Sequence, residues 1–171
     1  MTTDLVLTLL GPDRPGLVEA VAQAIAGNGG NWVESRMARL AGKFAGVLRV
    51  EIPTPAVEAL RAALARLETE GLRIVLEPSE GGPSVAPQQI MDLELMGLDR
   101  PGLVREVSRL LAAQKINVEE LITDRSSAPM SGEMMFRARA RLAVPAGVDL
   151  AAVRASLERL AGDLMVEIHL V

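Results

Sequence analysis

The chain has 171 residues, no cysteine and a formal net charge of −4. These values exclude disulfides, thiol chemistry and cysteine metal sites, and they leave no basic footprint for nucleic acid. No run approaches the roughly 18 apolar residues of a membrane span, and Met1-Thr2-Thr3-Asp4 lacks the basic start of a signal peptide, so a cytoplasmic protein without membrane association is expected.

Leu5 to Leu10 is a short apolar run closed by Gly11-Pro12 and reads as a buried strand. Pro15 suits the first position of a helix, where its missing N–H is no loss. Leu17, Val18, Val21, Ala22 and Ile25 then recur at helical spacing until Gly27, Gly29 and Gly30 stop the pattern. Asn31 to Arg39 and Lys43 to Ile52 flank Leu40-Ala41-Gly42 and read as a hairpin. Pro53 and Pro55 punctuate the chain before Val57, Leu60, Ala63, Leu64 and Leu67 mark a second helix, ended at Gly71, and Leu72 to Glu77 is a last strand. The order βαββαβ is the ferredoxin-like split unit of the α+β class, an antiparallel sheet with both helices on one face.

The segment Gly11-Pro12-Asp13-Arg14-Pro15-Gly16-Leu17-Val18 returns, with one change, as Gly97-Leu98-Asp99-Arg100-Pro101-Gly102-Leu103-Val104, 86 residues further on. Asn31 maps to Asn117 and Gly46 to Gly132 at the same offset. A period this long marks two copies of a domain and not a solenoid. The expected division is a first domain over 1–78, a linker over 79–88 rich in Gly, Pro and Ser, and a second domain over 89–171. In the second copy Met91 to Met96 is the first strand and Pro101 to Gln114 the helix. Asn117 to Arg125 and Glu133 to Leu142 are the strand pair, Leu150 to Leu160 the last helix and Leu164 to Leu170 the last strand. The offset from Leu72 to Leu164 is 92, and a longer approach to the last helix, Ala143 to Asp149, is expected to absorb the difference. Domains this small gain by burying surface against a neighbour, so edge pairing into one continuous sheet is also expected.

Gly16 and Gly102 fall in the predicted first helical turn, where the missing Cβ leaves room for a ligand and the free amides attract a carboxylate. Asn31 and Asn117 open the following strand with carboxamides that serve either charged end of an amino acid. Asp13, Arg14, Asp99 and Arg100 complement a helix dipole or touch the ligand directly, the first reading being the plainer one. Trp32, replaced by Val118 in the second copy, closes one site or is simply buried. Arg137, Arg139 and Arg141 alternate on the open sheet face, where Asp92 and Glu94 of the neighbouring strand make a charge ladder the plainer reading than a phosphate site. His169, the one histidine, stands beside Glu167 without the converging ligands of a metal site. Met130, Met134 and Met135 read as core and hairpin packing. With Trp32, Phe44 and Phe136 as the only aromatics, the sheet lacks the stacking residues of an RNA-binding face.

On its two Asp-Arg-Pro-Gly-Leu-Val segments, each set in a βαββαβ unit, the chain resembles the tandem ACT-domain family over nearly its whole length. Similar segments open the ACT domains of formyltetrahydrofolate deformylases, which carry a catalytic domain after the ACT part, whereas this sequence stops at Val171. The resemblance implies a regulatory protein, not an enzyme, without cofactor or metal, that binds a small amino acid such as glycine or serine at ACT domain interfaces. The ligand-binding positions are then Asp13, Arg14, Gly16, Leu17, Asn31 and Trp32, with Asp99, Arg100, Gly102, Leu103, Asn117 and Val118 in the second copy. The implied partner is a DNA-binding transcription factor or a metabolic enzyme of amino-acid and one-carbon metabolism, with no direct contact to nucleic acid and with a homodimer left open. The alternative is a protein-interaction module or enzyme regulatory subunit with no working ligand site.

Overall fold

A computed structural model of the chain describes residues 1–79 and 88–171. The chain divides into two compact units. The first consists of β1 (Thr2–Pro12), α1 (Leu17–Gly27), β2 (Asn31–Leu40), β3 (Lys43–Pro53), α2 (Val57–Glu68) and β4 (Arg73–Pro78), with one 3-10 turn at Thr54–Ala56 leading into α2. The second consists of β5 (Gln88–Leu98), α3 (Leu103–Ala113), β6 (Asn117–Ser127), β7 (Met134–Pro145), α4 (Leu150–Leu164) and β8 (Val166–Leu170). Each is the ferredoxin-like βαββαβ unit. Strand order is β2-β3-β1-β4 in one and β6-β7-β5-β8 in the other, with antiparallel pairing throughout. These ladders make one four-stranded sheet in each unit. Of the expected linker, 80–87 lies outside the described residues, and Gln88 already opens β5.

Side-chain alternation explains why both helices cover one face. Leu5, Leu7 and Leu9 of β1 are buried with Leu48, Val50 and Ile52 of β3, and onto them pack Leu17, Val21 and Ile25 of α1 and Leu60 and Leu64 of α2. The second unit repeats the scheme with Met91, Leu93 and Leu95 of β5 beneath Leu103, Val107 and Leu111 of α3 and Val153 and Leu157 of α4. The opposite face of the second sheet carries the expected charge ladder: Arg139 pairs with Glu94 at 3.5 Å and Arg141 with Asp92 at 3.9 Å. His169 stands on that face too, 4.0 Å from Glu167. None of the helices among the described residues is long and apolar enough to cross a membrane.

The copies diverge mainly at the hairpin; the approach to α4 adds one residue, Pro53 to Val57 against Pro145 to Leu150, and the offset reaches 94 in the last strand, where Leu9 pairs with Ile74 and Leu95 with Ile168. Ala41 and Gly42, both at positive φ, close the first hairpin as a two-residue turn of the mirror-image type that matches strand twist. In the second, the turn runs from Ala128 to Glu133. Sheet register shows the step directly: Arg39 pairs with Phe44 and Arg125 with Phe136, so the offset is 86 before the turn and 92 after it. Gly46 therefore corresponds to Ala138, which lies opposite Leu95 as Gly46 lies opposite Leu9, and Gly132 is a turn residue with no counterpart. The methionines of that hairpin are not core: Met130 and Met134 are exposed and Met135 is half-buried.

Gly11 and Gly97 end the inward row of their central strands, where the last strand crosses closely. A Cβ on Gly97 would collide with Val166, approaching its Cβ to 2.8 Å and its Cα to 3.0 Å, whereas a Cβ on Gly11 comes closest to the tip of the Leu72 side chain at 3.0 Å and leaves the nearest backbone atom, the Gly71 carbonyl oxygen, at an ordinary 3.4 Å. Backbone cannot yield as a leucine methyl can. Gly97→Ala is expected to destabilise the protein by about 1–3 kcal/mol, as overpacking generally does, and Gly11→Ala by less than half as much. Denaturant unfolding of both variants checks the order.

Candidate ligand site

Each central strand delivers its repeated motif to the same place, the end of the sheet next to the hairpin. In the first unit the Asp13 N–H donates to the Gly42 carbonyl at 3.0 Å, and the Asp13 carboxylate pairs with Arg39 Nε of β2 at 2.6 Å. In the second, the Asp99 N–H donates to the Met134 carbonyl at 2.8 Å and its carboxylate pairs with Arg125 of β6 at 3.2 Å. The Asp13–Arg39 pair thus recurs as Asp99–Arg125 at the 86-residue offset. Neither arginine is among the expected ligand-binding residues, although the common offset marks both.

The neighbouring arginines do not repeat. Arg14 Nη2 donates to the Glu70 carboxylate at 3.1 Å and to its carbonyl at 3.2 Å, tying the loop to the end of α2. Arg100 forms no ion pair among the described residues, and Arg105 in the next turn pairs with Glu106 instead.

Gly16 and Gly102 are N-cap residues outside the helix, with φ of 88° and 93°. Pro15 and Pro101 accordingly sit in the preceding turn and not at the first helical position. The glycines serve a left-handed backbone that side chains with a Cβ adopt at a cost, not a tight approach. An added Cβ meets nothing within 4 Å at Gly16 and only the tip of Arg105, at 3.8 Å, at Gly102. Both helices begin without a side-chain cap, in contrast to α4, whose Asp149 carboxylate accepts from the Ala151 and Ala152 N–H groups at 3.0 and 3.2 Å. The first amides of α1 and α3 are therefore the donors that a carboxylate finds at this end.

The remaining candidates fall elsewhere. Leu17 and Leu103 are core side chains, so only their backbone faces the motif loop. Trp32 packs against the first core, which is ordinary burial. Asn31 and Asn117 are exposed and stand at the opposite end of the sheet. Asn31 pairs with Glu51, itself opposite Asp4, and Asn117 pairs with Ala143, opposite Ile90. Seven residue steps along the strand lead from Asp4 to Gly11 and from Ile90 to Gly97, a span of about 23 Å. The motif and the asparagines therefore do not converge within a unit, because the intervening helix carries the chain back across the sheet. Val118, beside Asn117, is exposed at a cavity between α3 and β6.

Two sheets of this order, each with an uncapped helix start beside a repeated Asp-Arg pair, define a tandem duplication of one small α+β domain. Residues 3–76 and 87–167 match models of the ACT domain, and the chain belongs to the ACT-domain family as two such domains in tandem. It is similar to the glycine cleavage system transcriptional repressor of Escherichia coli strain K12, with 24% identity over 161 residues that cover 94% of this chain and 85% of the relative. Among solved structures, a protein of unknown function from Galdieria sulphuraria superposes with a TM-score of 0.85 at 29% identity, covering 99% of this chain and 98% of that one. The crystal structure of a putative glycine cleavage system transcriptional repressor shares the fold at a TM-score of 0.71 and 19% identity, covering 100% of this chain and 97% of the other.

The glycine backbone makes a measurable claim. Gly16→Val and Gly102→Val are expected to cost about 1–3 kcal/mol each, the usual penalty for a side chain forced into this region. Asparagine, which tolerates the left-handed conformation better, should cost less than half as much at either position. Chemical denaturation of the four variants compares them, and equal costs for Val and Asn would show that φ is not why glycine stands there.

Proposed function

We propose that this protein is a non-catalytic regulator that binds a small amino acid, glycine or serine-like, at the motif loops and passes the signal to a protein partner. The observation that carries the reading is an uncapped helix start beside an Asp-Arg pair, built twice in one chain. An amino acid is a zwitterion, and each loop offers complementary groups for both ends. The ligand carboxylate accepts from the first amides of α1 or α3, while its ammonium group faces Asp13 or Asp99 and competes with Arg39 or Arg125 for that carboxylate. Asn31 and Asn117 take no part in a site confined to one unit.

The similarity to a repressor of the glycine cleavage system supports a role in amino-acid and one-carbon metabolism. Having few aromatics and a net charge of −4, the chain is better suited to act on a DNA-binding transcription factor or a metabolic enzyme than on DNA. A second reading, a protein-interaction module with no working ligand site, is favoured by β6, an edge strand that exposes Val118, Leu121 and Ile122.

Calorimetric titration with a panel of amino acids separates the two. Glycine has five heavy atoms, so even a ceiling of about 1.5 kcal/mol per atom limits its Kd to the low micromolar range, and a value from tens of micromolar to millimolar is expected. Asp13→Asn together with Asp99→Asn should raise Kd on the order of tenfold, while stability changes by less than about 1 kcal/mol because exposed ion pairs contribute little. Nanomolar glycine binding, or binding indifferent to both substitutions, is incompatible with this site.

A further inference from the structure

The second unit contains a cavity of about 160 Å³ between α3 and the inward faces of β5, β6 and β7. Its lining is apolar except for Ser108, and its mouth is rimmed by Val104, Val118 and Leu121, which are 41%, 36% and 47% exposed. Sheet register identifies the equivalent positions in the first unit: Leu121 and Ala138 correspond to the smaller Ser35 and Gly46, while larger side chains stand at two other positions of the lining. Ala140 lies opposite Leu93 as Leu48 lies opposite Leu7, and Val118 pairs with Leu142 as Trp32 pairs with Val50. Thr123 pairs with Ala138 as Met37 pairs with Gly46. In the first unit Leu48 is fully buried, and Trp32 and Met37 pack against the core, Met37 filling the space that a Cβ on Gly46 would need. One unit thus fills this space with its own leucine, tryptophan and methionine, and the other leaves it open.

We propose that this cavity is a binding pocket for a compact apolar group, the side chain of an amino acid such as leucine or phenylalanine, and that it gives the second unit a ligand preference the first lacks. The first unit shows what the space accepts, since side chains of that chemistry occupy it there. Size agrees: an apolar cavity of roughly 150 Å³ is large enough to take up benzene. With a single hydroxyl in the lining, the pocket offers almost nothing to a polar side chain, and burying one would go uncompensated. The inference rests on the amino-acid-binding reading only for the class of molecule that carries the apolar group. The pocket itself is independent of the Asp99–Arg125 pair.

The test is calorimetric titration of the full chain with glycine, alanine, valine, leucine and phenylalanine. Wild-type affinity is expected to climb by roughly fourfold per added methylene, the gain from burying one CH₂. Ala140→Leu installs the residue that the first unit carries at this position and should abolish the climb, lowering leucine affinity at least tenfold and leaving glycine unchanged. Its thermal midpoint should not fall, because the new methyl groups enter empty space. Leu121→Ser installs the counterpart Ser35 on an exposed strand, removes one wall without overpacking, and should lower leucine affinity several-fold. This second variant decides the matter if Ala140→Leu does not fold. An affinity flat from glycine to leucine, or a climb that survives in both variants, overturns the pocket. Glycine bound with no climb leaves the motif-loop site standing alone. A climb indifferent to Asp99→Asn supports the pocket and removes the motif loop.

Discussion

Each unit depends on a central strand that is hydrogen-bonded along both edges while every second side chain is pressed under two helices. β1 is held by β3 and β4, and β5 by β7 and β8, so neither can shift without breaking two ladders. A slip of one residue would turn Leu5, Leu7 and Leu9, or Met91, Leu93 and Leu95, outward as a set. The motif loops inherit their position from this locked register. Because β1 and β5 end beside the hairpin, Asp13 and Asp99 reach Gly42 and Met134 through the backbone and Arg39 and Arg125 through their side chains.

Alternating and helical periods in the sequence sufficed for the order of elements, for both helix-covered faces and for the charge ladder of Arg139 and Arg141 with Glu94 and Asp92. What they could not convey was the sign of a dihedral angle. Pro15 and Leu17 fit a helix that starts at either residue, and only the positive φ of Gly16 decides between them. Asn31 follows the motif closely in sequence, yet an eleven-residue helix intervenes and places it at the far end of the sheet. Gly46 and Gly132 share an offset by coincidence, since no composition signal shows that six residues enter within the hairpin. Arg39 and Arg125 were accessible, because they repeat at the same spacing as Asp13 and Asp99. They lie on a strand remote from the motif, however, and a local reading passes over them.

The duplicates have kept the geometry of the motif and changed what surrounds it. Arg14 is tied to Glu70, whereas Arg100 has no such partner among the described residues. Ala41-Gly42 is a minimal turn, whereas the second hairpin is longer and carries the exposed Met130. Beneath β2 the space is filled by Trp32 and Met37, and beneath β6 it is not. Backbone groups that set the loop are conserved between the halves because they are fixed by the sheet. The variable positions are side chains that the sheet leaves free to change size, so the two halves can acquire different specificities without a change of fold.

The strand order also governs the sequence of events during synthesis. The strand made first, β1, is the one that needs partners on both edges, and its second partner, β4, ends at Pro78. At roughly 5–20 residues per second, several seconds separate completion of β1 from completion of β4. During that interval the row of Leu5, Leu7 and Leu9 has no finished layer to enter. The β2–β3 hairpin, closed by Ala41 and Gly42, is the first strand template available to it, and α1 is the first cover. The nascent first unit therefore meets its greatest hazard of misassociation before α2 is made, and the short hairpin turn, which lets its strands pair within microseconds of their synthesis, gives β1 a first partner well before β4 exists.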